Sequence, residues 1–326
     1  MSFDHILGQE RAKTILQHGL RADKVSHAYL FSGPEGTGRF ETAITFAKSL
    51  FCENRQDDCC DECLSCRKIN HGNHPDVHVI EPEGQSIKIE QIRELQREFS
   101  YRTSPSSRKV YIMKNADKMT VQASNSLLKF LEEPMSPTVA ILIAEHGQTM
   151  LPTIVSRSQW VPFSPQDPKL IYDRLLQEGV SSTLARCAVQ LVNGLGQGRE
   201  LCQQNWFAEV RNVMLQLGKE CTSRTSAALL TAQQRIFKTE LAEHVDMILR
   251  MFHLWFRDML NYQLNRQDSL VFQDQHELIS KVAWTRPAEG WIRCMEAAAV
   301  AQKRMRSNVN PQLVLEQFLI GMQGGS

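Results

Sequence analysis

Five short runs constrain this chain more than any other feature: Ala28–Ser32, Val77–Ile80, Val110–Met113, Val139–Ala144 and Gln159–Phe163. Their β-branched, aromatic and other apolar residues follow one another directly, as in strands buried on both faces. Helical patterns lie between them. Phe40–Phe51 brings Ala43, Ala47, Leu50 and Phe51 to one face, and Ile89–Phe99 repeats Ile89, Ile92, Leu95 and Phe99. Thr120–Glu133 aligns Ala123, Leu127, Leu128 and Leu131, with Thr120 as N-cap and Pro134 as stop. The alternation predicts an α/β fold: a parallel sheet with helices on both faces.

Beyond Pro162-Phe163-Ser164-Pro165 no strand pattern follows, and helical periodicity runs on. Pro168–Asn193 reads as two short helices broken at Gly179, and the glycine-rich stretch Asn193–Gly198 as a break before a third. Glu240–Leu264 carries Leu241, Val245, Ile248, Phe252, Trp255 and Met259 at three- and four-residue spacing, predicting one long helix. Three domains are therefore expected: an α/β core over 1–164, a small helical domain over 165–205 and a larger helical domain over 206–326.

Nine cysteines are present, and Cys52, Cys59, Cys60, Cys63 and Cys66 fall within fifteen residues. Cys60-x-x-Cys63-x-x-Cys66 with Cys52 upstream supplies four thiolates for a tetrahedral zinc, in a loop with little apolar core of its own. Cys59 adjoins Cys60 and is an alternative ligand; the even spacing favours Cys60. The segment carries Glu53, Asp57, Asp58, Asp61 and Glu62 against Arg55, a charge that repels phosphate. This predicts a structural module or a protein contact.

The overall balance agrees, with 37 Lys plus Arg against 36 Asp plus Glu. A chain that gripped nucleic acid alone would carry a basic excess. The longest apolar run, Val139–Ala144, is far short of the roughly 20 residues a membrane span needs. The first residues lack a basic region followed by an apolar one. A cytoplasmic location without membrane contact is the expectation.

Between the first strand and the next helix stands Gly33-Pro34-Glu35-Gly36-Thr37-Gly38-Arg39-Phe40. A phosphate loop needs glycines whose backbone N–H groups curl round the phosphates, a Lys for the β and γ oxygens, and a Ser or Thr hydroxyl for Mg²⁺. Gly33, Gly36 and Gly38 are in place, but Arg39 stands for the Lys and Phe40 for the hydroxyl. The later strand that should end in magnesium-binding acids ends in Lys114-Asn115, with no acid before Asp117. No tight binding or hydrolysis of ATP by this chain is expected, and the loop is read as kept for its shape.

Arg157, in Ser156-Arg157-Ser158, ends a short helical segment at the edge of the α/β domain. Taken alone it is either a surface cation at a helix C-terminus or a guanidinium offered to a neighbour's nucleotide. Taken together, four motifs resemble one family: His27–Arg39, the cysteine set, Asn125-Ser126-Leu127-Leu128-Lys129-Phe130-Leu131-Glu132-Glu133-Pro134, and Ser156-Arg157-Ser158. That family is the delta-prime subunits of the bacterial DNA polymerase III clamp loader, in the AAA+ superfamily. Gly8-Gln9 and Asn308-Val309-Asn310-Pro311 extend the likeness to nearly the whole chain.

The resemblance implies an AAA+ core with a zinc module at 52–66, a three-helix lid and a C-terminal helical collar for oligomerisation. It implies a stationary, non-hydrolysing place in a ring beside motor subunits and a delta subunit. That ring opens the sliding clamp and loads it on primed DNA. The resemblance also implies that Arg157 acts in trans on a neighbouring motor subunit's ATP. The family has Cys where this chain has Ser158; the charge resides on the arginine. Two other readings compete. An active motor subunit of the same loader is opposed by Arg39, Phe40, Lys114 and Asn115, and an independent zinc-dependent DNA-binding protein by the acidic cysteine loop.

Overall fold

The computed structural model describes residues 2–54, 57–101, 108–132, 137–223, 225–307 and 309–322. Arg55, Glu133-Pro134, Asn308 and the side chain of Phe99 lie outside the described residues. The chain forms two compact units, 1–170 with 193–195, and 171–192 with 196–326.

The first unit runs through α1 (Glu10–Arg21), β1 (Ala28–Ser32), α2 (Arg39–Phe51), α3 (Leu64–Asn70), β2 (Val77–Ile80) and α4 (Ile89–Tyr101). It continues with β3 (Lys109–Met113), α5 (Val121–Glu132), β4 (Thr138–Ala144), α6 (Pro152–Arg157) and β5 (Gln159–Pro162). All five strands pair parallel in the order β2-β3-β4-β1-β5. The register sets Leu30 beside Leu142 and Tyr111 beside Ala140.

Strict alternation along each strand serves two cores. Ala28, Leu30, Tyr111, Met113, Ala140 and Leu142 face Ile92 and Leu95 of α4, Leu127 and Leu131 of α5 and Ile154 of α6. Tyr29, Phe31, Val110, Ile112, Ile141 and Ile143 face Phe3, Leu16 of α1, and Ala43, Phe46 and Ala47 of α2. Every residue of β1 and β3 is buried, which is why these strands read as continuous apolar runs. The expected N-cap is present: Thr120 Oγ1 accepts from Ala123 N–H at 3.2 Å.

The second unit is helical: α7 (Pro168–Gln177, beginning at the end of the first unit), α8 (Ser182–Ala188), α9 (Leu195–Gln203), α10 (Asn205–Ser223) and α11 (Thr225–Arg235). After these come α12 (Val245–Gln263), α13 (His276–Val282), α14 (Ala288–Met305) and α15 (Pro311–Gly321). Its core gathers on α12, where Phe252 meets Phe318 of α15 at 5.2 Å between ring centroids and Phe256 stacks on Trp291 of α14 at 6.0 Å. Each fully buried aromatic there contributes roughly 2–3 kcal/mol.

Local differences from the sequence expectation have local causes. Glycines 196 and 198 do not break the chain, because α9 starts at Leu195 and contains both. The long helix expected from Glu240 begins as a 3-10 turn over Glu240–His244, capped by Thr239. The tight turn lays His244 flat on Trp206, with centroids 3.8 Å apart. Gly179, at φ 86°, does separate α7 from α8.

Candidate functional site

The phosphate-type loop lies between β1 and α2, and Gly36 and Gly38 take left-handed backbone angles of φ 83° and 84°. Two glutamines and a returning segment of the first unit stitch it shut. Gln9 Nε2 donates to Thr37 O at 3.1 Å and to Ser164 O at 2.6 Å, and its Oε1 accepts from Ser164 N–H at 3.2 Å. Asn193 Nδ2 donates to Glu35 O at 3.1 Å. Gln166 Nε2 donates to Leu7 O at 3.0 Å, while its Oε1 accepts from Leu195 N–H at 2.8 Å. Gly194 packs so tightly that a Cβ there would stand 1.9 Å from Gly36 O.

Arg39 is 7% exposed. Burial lowers its pKa, and the charges of Glu145, Asp117, Glu35 and Glu41 oppose that shift. The lysine position of the loop therefore holds a buried guanidinium whose charge is supported by four carboxylates of the chain, while its Nη1 has no hydrogen-bond partner among the described residues. Asp117 also accepts N–H bonds from Glu145 and His146 beyond the end of β4, at 3.3 and 3.4 Å.

The two positions expected to serve Mg²⁺ touch each other. Lys114, directly after β3, places its ammonium 3.8 Å from the centroid of the Phe40 ring and pairs with Glu81 at 2.5 Å. The ammonium is balanced by the Glu81 carboxylate, and neither the phenyl ring nor the ammonium can ligate a cation.

The thiols of Cys52, Cys60, Cys63 and Cys66 all lie within 4.8 Å of one another. The edges of a Zn–S₄ tetrahedron are about 3.8 Å for Zn–S bonds of about 2.3 Å, so this donor set fits one zinc ion with small adjustments. Backbone N–H groups of Cys60, Cys63 and Cys66 donate to the sulfurs of Cys52, Cys60 and Cys63 at 3.3, 3.3 and 3.4 Å. N–H donors from Cys63 and Glu62 bring the Cys60 pKa down to about 6. Cys59 stands outside the cluster, 1% exposed, with its thiol pKa raised by burial.

Three of the module's acids do structural work that the sequence does not reveal. Asp58 accepts from Phe3 N–H at 3.1 Å and Cys59 N–H at 2.7 Å, and Asp57 pairs with Arg21 at 2.7 Å. Asp61 pairs with Lys48, which is 1% exposed on α2. The cysteine loop is thereby fastened to the N-terminal segment, α1 and α2.

Arg157 is the last residue of α6, with its side chain 39% exposed. Its Nη2 meets Glu132 Oε1 at 2.7 Å, and its Nη1 donates to Thr153 O at 3.2 Å. Ser158 Oγ donates to Ile154 O at 2.8 Å, a local tie that accommodates serine at that position. The phosphate-type loop, the cysteine set and Arg157 were all legible in the sequence. Lys114 as the partner of Phe40, the staples Gln9 and Gln166, and Glu132 as the partner of Arg157 were not.

A family model described as "DNA polymerase III, delta subunit" matches residues 8–167, and one for the C-terminal region of that subunit matches residues 200–324. The chain is 39% identical over 320 residues to DNA polymerase III subunit delta' of Bacillus subtilis (strain 168), covering 97% of each protein. To subunit delta' of Pseudomonas aeruginosa it is 29% identical over 310 residues, covering 90% of this chain and 91% of that protein. To subunit tau of Bacillus subtilis it is 36% identical over 174 residues, covering 53% of this chain and 31% of that protein. Among the described residues no helix is long and apolar enough to cross a membrane.

Proposed function

This chain belongs to the delta-prime subunit family of DNA polymerase III, and from that premise we propose that it is the non-hydrolysing, stationary member of a clamp-loader ring. Its neighbours in that reading are motor subunits and a delta subunit. The sliding clamp and primed DNA are met through the assembly, in the cytoplasm. The observation that carries the reading is the Lys114–Phe40 contact, which fills the magnesium position with an ammonium and a phenyl ring. Arg39, buried at the loop's lysine position, and Gly194, packed against Gly36 of the same loop, support it.

Such a subunit contributes to catalysis only from outside its own fold. Arg157 is the group offered: its guanidinium stands at the exposed end of α6, with Nη1 donating to Thr153 O and Nη2 paired by charge with Glu132. Set against a neighbour's ATP, it would stabilise the charge that develops on the transferring γ-phosphoryl group. The zinc assigned to Cys52, Cys60, Cys63 and Cys66 would be structural, cross-linking a loop that has no core of its own.

The test is Arg157→Ala in a loader reconstituted with its motor and delta subunits. Clamp- and DNA-stimulated ATP hydrolysis should fall by about tenfold or more, with the ring still assembled. Unchanged rates would overturn the trans role.

A further inference from the structure

We infer that Glu132 is the positioning residue for Arg157, holding its guanidinium ready for a neighbour's triphosphate; this rests on the trans reading of Arg157. Glu132 is carried by α5. Among the described residues its ion pair is with Arg157. Arg157 ends α6, so α5 and α6 set a carboxylate and a guanidinium against each other at 2.7 Å.

The contact leaves the arginine usable. Nη1 donates to the Thr153 carbonyl and Nη2 is held beside Glu132 by charge, so other N–H donors of the planar fork remain for phosphoryl oxygens. A free arginine side chain must surrender rotamer freedom to engage a phosphate. Glu132 and Thr153 restrict that freedom from within the same chain, before the neighbour arrives. The pair is half exposed, at 39% and 47%, and exposed ion pairs are weak, so Glu132 guides the arginine without sequestering it. The same weakness bounds the effect to a few-fold.

The experiment uses the reconstituted loader with this chain as wild type, Glu132→Ala, Glu132→Gln, Arg157→Ala and the Ala/Ala double variant. Clamp- and DNA-stimulated ATPase is read as kcat and KM, and ring assembly is checked by co-elution. Glu132→Ala should lower kcat about two- to five-fold with KM for ATP unchanged. Glu132→Gln, which keeps an acceptor, should retain most of the rate. In the Arg157→Ala background the second substitution should have no effect. A wild-type kcat for Glu132→Ala beside an impaired Arg157→Ala would overturn the positioning role and leave the trans reading standing. A wild-type rate for Arg157→Ala would overturn both. An equal loss from Glu132→Ala in the two backgrounds would mean that Glu132 acts on structure alone, and would also overturn it.

Discussion

Lys114 holds its ammonium 3.8 Å over the ring of Phe40, so the residue after β3 and the residue opening α2 complete each other. Separately each substitution only weakens a nucleotide site. Together they set an ammonium, paired with Glu81, on the face of a phenyl ring, and neither group is a metal ligand. The contact is worth roughly 0.5–1 kcal/mol.

Calorimetry of the full chain with MgATP should show no saturable binding up to about 1 mM, an affinity weaker than about −4 kcal/mol. Phe40→Thr alone should not change this, because Lys114 and Arg39 remain. Saturable heat with a micromolar Kd for the wild type would overturn the assignment.

Gly194 and Gly196 make a paired prediction. A Cβ at 194 meets the carbonyl oxygen of Gly36 at 1.9 Å, with backbone on both sides, whereas one at 196 meets nothing within 4 Å. Gly194→Ala should destabilise by about 2 kcal/mol, and Gly196→Ala, inside α9, should stabilise by about 0.5 kcal/mol. Denaturant midpoints of the two variants measure both, and equal midpoints would contradict the packing.

Metal analysis should find about one equivalent of zinc in the wild-type chain. Cys63→Ser should lose it, and Cys59→Ser should keep it although Cys59 is buried. A chelator should lower stability of the wild type and leave Cys63→Ser unaffected. A metal-free wild-type chain of full stability would refute the site.

Asp258 lies wholly buried on α12, and its Oδ2 accepts the N–H groups of Val271 and Phe272, each at 2.8 Å. Burial raises its pKa to about 6, opposed by those two N–H donors and by the charge of Arg257. Because the folded value is above the unfolded one, the folded chain holds the proton more tightly. Stability from this group is therefore present below about pH 4 and lost as pH rises through 6, by about 3 kcal/mol in all. The stability of the wild type minus that of Asp258→Asn should fall by about 2 kcal/mol between pH 4 and pH 7. A difference independent of pH would show that the carboxyl titrates normally.

Much of the first unit was legible because its signals are local. β1 and β2 begin and end where the apolar runs do, and α2 differs from its expected start by one residue. α9 was misread at its start because Gly196 and Gly198 weaken helix propensity, yet Gly198 packs among Ile171, Leu175 and Val192, where a larger residue would crowd the core. The start of α12 was misplaced because one apolar stripe runs through both a 3-10 turn and an α-helix, and spacing alone does not distinguish them.

By itself the sequence determined the parallel sheet, the helical second half, the four thiols and the absence of a lysine, a hydroxyl and the acids from the phosphate-type loop. Each of these follows from residue identity at short spacing, where periodicity, capping and ligand chemistry act. Only the tertiary structure decided how the loop is closed and how Arg157 is held. Glu35 and Asn193 are 158 residues apart in the chain and share a hydrogen bond. Lys114 reaches Phe40 and Glu132 reaches Arg157 only after β3, α5 and α6 have been brought together on the sheet. Side chains that meet across a fold leave no periodic trace in the chain, since each end is specified by its own element and the contact by the packing of both.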